Sequence, residues 1–263
     1  MPNLVHPREP LYLALLLICA IAFYVILIVS LVGIAYVLLG VLAALVIHGL
    51  FIGHLRGNGV RVGETQFPEV HRVARELAAQ MGVSTVPDIY ILQAGGLLNA
   101  FATRFGRRNF IVLYSDVLEL LEEKGEAELA FVLAHEMTHL RRRHTTWQTL
   151  LYPAMLVPFL GSAYSRACEY TCDRHAAYYV PQGAPGGLLV LAAGRRLFRR
   201  VDPERFAAQA REAGGFWYWF AEVLSSHPHL SRRVAAVSEF ARGSVGAGIP
   251  VSPPPAETGS IGF

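Results

Sequence analysis

The sequence predicts a mainly α-helical protein with a small β-sheet, set behind an N-terminal pair of membrane-spanning helices. Three observations carry this. Leu11 to Leu55 is a run of 45 residues without a single Asp, Glu, Lys or Arg. Apolar residues recur at helical spacing through much of the remainder. Two short β-branched and aromatic runs, Pro87 to Leu92 and Phe110 to Tyr114, read as strands. The composition agrees, since a chain that is 53% hydrophobic and 16% charged, with a mean hydropathy of +0.38, departs from soluble averages. Formal charge is confined almost wholly to Arg56 through Arg242. The expected organisation is therefore an apolar hairpin over 1–55, a globular unit over 56–243, and a disordered tail over 244–263, rich in Gly, Pro and Ser.

A single helix of 45 residues would be about 67 Å long, more than twice the ~30 Å hydrocarbon core. Two spans fit, about 11–30 and 33–52, with a turn near Ser30 to Gly33. Arg8 precedes the block, Arg56 and Arg61 follow it, and no positive charge lies between the spans. The positive-inside rule then puts both ends, and the globular unit, on the cytoplasmic side of the cell (inner) membrane. The net charge of +3 is spread over scattered arginines without aromatic interleaving, which argues against nucleic acid as a partner. Three cysteines, Cys19, Cys168 and Cys172, are too few for a disulfide framework.

Beyond the apolar block, Phe67 to Met81 has the pattern of an amphipathic helix, opened by Pro68 and closed by Gly82. The two strands are separated by a Gly95-Gly96 turn, the run Asn99 to Thr103, and a basic loop, Arg104 to Arg108. Ser115 and Asp116 should cap a helix running to Glu123. Glu126 to Arg143 forms the next helix, with acid at its start and arginines at its end, as the helix dipole favours. Helices near Arg166 to Tyr179, Leu188 to Arg200, Pro203 to Ser225 and Ser231 to Ala241 complete the reading.

Within the Glu126 to Arg143 helix stands His135-Glu136-Met137-Thr138-His139. Residues four apart share a helix face, so both imidazoles reach one cation while the intervening carboxylate reaches a water beside it. Catalytic zinc takes three protein ligands and keeps one open position, and Glu169 supplies a carboxylate in a helix thirty residues downstream. Asp173, one turn beyond Glu169, is spaced to accept a hydrogen bond from the far nitrogen of a ligating histidine. Asn99, Ala100, Phe101 and Ala102 offer an extended edge on which a peptide substrate adds as a strand. His227 and Arg233 offer donors for a developing oxyanion.

These four motifs, in this order over about 67–241, resemble the HtpX-like membrane zinc metallopeptidases, a group that extends to the CAAX prenyl endopeptidases and a mitochondrial inner-membrane stress protease. The resemblance implies a gluzincin fold and endopeptidase activity on protein or peptide substrates beside the lipid bilayer, including membrane-protein quality control. It also implies one zinc ion per chain on His135, His139 and Glu169, with Glu136 as acid/base. Asp173 then stands behind the ligands, His227 stabilises the transition state, and Asn99, Ala100, Phe101 and Arg233 lie along the substrate. In HtpX-like members the segment between the second histidine and the third ligand is long and contains additional transmembrane helices, whereas here 29 residues separate His139 from Glu169. That spacing is also similar to the metallopeptidase sensors of β-lactam signalling, while His227-Pro228 and the two-span N-terminus favour the first family. The alternatives to an active peptidase are a non-catalytic membrane scaffold, expected to lack Glu136 or a ligand, and a signalling sensor, expected to carry a further domain.

The uncharged stretch Trp147 to Tyr164 cannot cross the bilayer once, since that would part His135 and His139 from Glu169 by about 30 Å. It is expected to be buried or to skim the membrane. His144, about 140° around the helix from His139 if the coil continues, reads as a solvated histidine near a helix C-terminus, and Cys168 and Cys172 as buried, inert thiols.

Overall fold

A computed structural model describes residues 3–93, 99–119 and 125–246. The expected Gly95-Gly96 turn, the end of the helix running to Glu123, and most of the expected tail lie outside the described residues.

Two long apolar helices open the chain, α1 (Arg8–Val29) and α2 (Leu31–Asn58), and both are long and apolar enough to cross a membrane. Ser30 alone joins them, its hydroxyl accepting from the Gly33 N–H at 3.3 Å. The turn is so tight that a Cβ at Gly33 would lie 2.1 Å from the Leu27 carbonyl oxygen, which excludes any larger residue.

The remainder is mainly helical around one four-stranded sheet, in the order β1 (Val60–Arg61), β2 (Asp88–Leu92), β4 (Arg108–Tyr114), β3 (Ala100–Phe105). β2 and β4 run parallel; the two outer pairings are antiparallel. The expected basic loop is mostly strand. Phe105 pairs with Arg108 and the turn is confined to Gly106-Arg107, with Gly106 at φ 58°.

Successive strand residues face opposite sides, and each side is covered by a different part of the chain. Ile89, Ile91, Ile111 and Leu113 join the main core with α3 (Pro68–Gln80) and α5 (Glu126–Arg141). Tyr90, Phe110 and Val112 pack instead on Ile52 and Leu55, so the last turns of α2 form the second cover of the sheet. His48 is held there, its Nε2 3.1 Å from the Thr103 hydroxyl.

A short α4 (Ser115–Leu118) follows β4, and its expected caps serve elsewhere: the Ser115 hydroxyl bonds Gln93, and Asp116 pairs with Arg195. After α5 the chain makes α6 (His144–Leu150) and α7 (Tyr152–Met155), then turns at Phe159 into α8 (Leu160–Tyr179), which lies against α5. α9 (Gly186–Leu197) packs over α5. The region expected as one helix from Pro203 to Ser225 is two, α10 (Pro203–Glu212) and α11 (Phe216–Leu224), broken at Gly214-Gly215 with Gly215 at φ 91°. α12 (Leu230–Gly246) ends the described chain.

Candidate metal centre

The two histidines of α5 lie on one face as their four-residue spacing dictates, with Nε2 atoms 3.3 Å apart. Glu169 on α8 completes a triangle, one carboxylate oxygen 3.4 Å from His135 Nε2 and the other 3.3 Å from His139 Nε2. Tetrahedral metal sites with bonds of about 2.0–2.1 Å have donor–donor edges of about 3.3–3.4 Å. The two imidazole nitrogens are spaced as two corners of a zinc-sized tetrahedron, and each faces one oxygen of the Glu169 carboxylate at the same spacing. Charge agrees with geometry. Glu169 and Asp173 share one guanidinium, Arg233, and Glu136 is buried nearby in the same cleft, so the site holds more carboxylates than arginines, a balance that a divalent cation suits.

The electrostatics carry the same sense. Burial works to raise the Glu169 pKa, but Arg233 and hydrogen bonds from both imidazoles hold it well below the usual carboxylate range. Burial would lower the pKa of His135, yet the neighbouring Asp173 and Glu169 carboxylates, which accept from its ring, push it up.

Cys172 Sγ also lies within 4.8 Å of a nitrogen of each imidazole. Burial pushes its thiol well above the usual range, with Glu169 adding to the shift. Cys172 and Cys168 are both free and buried.

Asp173 lies 3.0 Å from His135 Nδ1, on the side of the ring away from the donor triangle. Arg233, expected along the substrate, is instead 4% exposed and forked on Asp173, with Nε 2.8 Å from one oxygen and a terminal nitrogen 2.7 Å from the other. Its remaining nitrogen stands 3.0 Å from Glu169. One arginine of α12 thus clamps both carboxylates of α8.

A cleft of about 460 Å³ opens over the triangle and is lined by Glu136, His227 and the strand edge Asn99, Ala100 and Phe101, among others. Glu136 points into it with neither a hydrogen bond nor an ion pair to another described residue. His227 Nε2 reaches within 3.6 Å of Glu169, while its Nδ1 lies 2.9 Å from the Ser226 hydroxyl. β3 is the edge strand of the sheet, and Asn99 shapes its start by accepting from the Ala100 N–H at 2.9 Å.

His144 departs from its expected solvated position: it is 1% exposed. The α5 coil ends at Arg142, and Arg143 takes a left-handed conformation, φ 57°, so His144 opens a new helix and the angular projection from His139 no longer holds. Its Nδ1 lies 3.2 Å from His139 Nδ1, and its Nε2 3.4 Å from a carboxylate oxygen of Glu9. Glu9, 2% exposed at the start of α1, also accepts from Arg142 at 2.7 Å and from the Thr171 hydroxyl. Nothing in the sequence pattern marks Glu9, which stands 130 residues from the histidine it supports. The one hint is a charged residue at the very edge of the apolar block.

Comparison with known proteins places this arrangement. The family model described as peptidase family M48 matches residues 64–158 and 148–241. The plastoglobule-localized metallopeptidase 48 of Arabidopsis thaliana is 31% identical over 71% of this chain and 60% of its own length. A protease HtpX homolog of Paraburkholderia phytofirmans is 26% identical, covering 70% of this chain and 78% of the relative. Among solved structures, the Ste24p of S. mikatae shares the fold at a TM-score of 0.50 and 17% identity, over 78% of this chain and 57% of that one. The chain thus spans somewhat less than two thirds of the plastoglobule relative and of Ste24p. The first matched stretch contains His135, Glu136 and His139, and the second contains Glu169, Asp173, His227 and Arg233; this chain belongs to peptidase family M48.

Proposed function

We propose that this chain is a membrane-anchored zinc endopeptidase, with residues 56–243 as its catalytic unit on the cytoplasmic side of α1 and α2. The observation that carries the reading is the convergence of the His135 and His139 Nε2 atoms and the Glu169 carboxylate, at 3.3–3.4 Å from one another, beneath a cleft that Glu136 lines. His135, His139 and Glu169 would hold one zinc ion. When bound, zinc acts as a Lewis acid that lowers the pKa of water and polarises a carbonyl.

The chain's own residues supply the rest. Glu136 takes the proton of the attacking water and delivers it to the leaving amine, so one buried carboxylate serves both halves of the hydrolysis. His227 donates from Nε2 to the carbonyl oxygen as it gains charge, at the mouth of the cleft where its ring is fastened by Ser226. The free edge of β3 at Asn99, Ala100 and Phe101 aligns the substrate backbone as an added strand. Asp173 orients His135, and Arg233 positions Asp173 and Glu169 rather than touching substrate. On the far side His144 accepts from His139 Nδ1–H and passes its own N–H to Glu9, a two-step version of the same support.

The test is purification in detergent, metal analysis, and cleavage of an unfolded protein such as casein with and without a chelator. One zinc per chain and chelator-sensitive cleavage, absent in Glu136→Gln, is the expected result. Cleavage by Glu136→Gln well above a metal-free blank would overturn the assignment.

A further inference from the structure

Of the 29 residues between His139 and Glu169, those from Trp147 to Cys168 pack along α1. At the base, Glu9 of α1 bonds Thr171 of α8. Further along, Leu16 and Ala20 pack with Leu151, Ala154, Tyr164 and Cys168. At the far end the Tyr24 hydroxyl donates to the Leu150 carbonyl at 2.9 Å. Two independent rulers give the reach. Glu9 to Tyr24 is fifteen residues of helix, about 22 Å; Thr171 back to Leu160 is eleven, about 16 Å. Against an apolar layer of about 30 Å, the two rulers put the tip between about half and three quarters of the way across.

The segment is also built for a place without water. No charged residue occurs between Arg143 and Arg166. Leu150, Tyr152, Leu156 and Phe159, clustered around the tip, are 47–68% exposed in the absence of lipid. Pro153 breaks the ladder, and the Ala154 N–H turns to Leu151, which frees the Leu150 carbonyl. Tyr24 of α1 satisfies that carbonyl, the kind of repair a kinked backbone needs inside a bilayer. The return turn is closed by Gly161, where a Cβ would stand 2.3 Å from the Met155 carbonyl oxygen. α11, whose Phe216, Trp217 and Trp219 are exposed, is tied to the same hairpin by Ser162 to the Val223 carbonyl at 2.6 Å and by Arg166 to three carbonyls at its end.

We propose that residues 144–164 form a re-entrant helical hairpin, inserted beside α1 to between about half and three quarters of the depth of the bilayer and returning to the same side. Gln148, Tyr152 and Met155 of this hairpin line the cleft over the metal centre. The hairpin therefore walls one side of that cleft.

The depth is tested on the full-length protein in phosphatidylcholine/phosphatidylglycerol vesicles, with Cys19→Ser as background and a spin label at Leu156→Cys. Labels at Ile18→Cys of α1 and Arg75→Cys of α3 serve as buried and aqueous references. The Leu156 label should collide with oxygen and escape an aqueous nickel chelate, within a few ångström of the depth at Ile18. Leu150→Cys should give the same result, which guards against a local artefact at one site. Chelate access equal to that at Arg75 would overturn the hairpin.

Discussion

The two histidines of α5 are supported by different parts of the chain. Behind His135 stands Asp173, one turn from Glu169 on the same helix, with Arg233 forked across both carboxylates. Behind His139 stands His144, and behind that Glu9, which belongs to the first turn of an apolar helix and is itself held by Arg142 and Thr171. One support is direct, ionic and local to α8 and α12; the other is relayed through a neutral ring and reaches the membrane helix. The difference teaches that the metal centre is fastened at one side to the catalytic core and at the other to the anchor. α1 is then part of the site rather than a tether for it.

The largest expected effects remove what both sides serve. Glu169→Ala should abolish both metal retention and turnover, while Glu136→Gln should keep the metal and lower kcat by about 10²–10⁴-fold. Metal analysis beside the cleavage assay separates the two, and an unchanged zinc content in Glu169→Ala would remove it from the ligand set. Next comes the direct support. Asp173→Asn should weaken metal binding by about 10–100-fold, and because it strips a charge partner from the buried Arg233 it should also lower stability by about 3–5 kcal/mol. Chelator competition and thermal unfolding read these separately, and a variant with wild-type values in both would end the distinction between the sides.

The relayed support should be weaker. His144→Leu and Glu9→Gln are each expected to reduce metal affinity by up to about tenfold. If they act as one chain, the double variant should be no worse than the poorer single, whereas additive losses would show two independent contacts. Smallest is Thr171→Val, which removes one hydrogen bond to Glu9 and should cost about 1 kcal/mol in unfolding with metal affinity nearly unchanged.

What could be read beforehand follows from periodicity. A helix places i and i+4 together wherever it sits, so His135 and His139, and likewise Glu169 and Asp173, were assigned to shared faces without knowledge of their surroundings. The apolar run and the alternating strands are legible for the same reason: a hydrocarbon layer and a two-sided sheet each impose a simple pattern. The misreadings sit where the chain leaves a regular element. His144 was projected along a coil that stops at Arg142, and the basic loop Arg104 to Arg108 became strand because its turn needs only Gly106 and Arg107. Gly214-Gly215 is the local signal of the break between α10 and α11, with Gly215 in a conformation that a helix does not hold.

By itself, then, the sequence determined the helix faces, the identities of the donor atoms and the apolar character of α1 and α2. Tertiary structure alone decided which carboxylate meets which imidazole across elements, that Arg233 faces inward to two acids, that Glu9 supports His139, and how far residues 144–164 follow α1. The physical reason is range. Local pattern is dictated by backbone geometry repeated every few residues, whereas pairing across 60 to 160 residues depends on how whole helices dock, and no repeat in the chain encodes that.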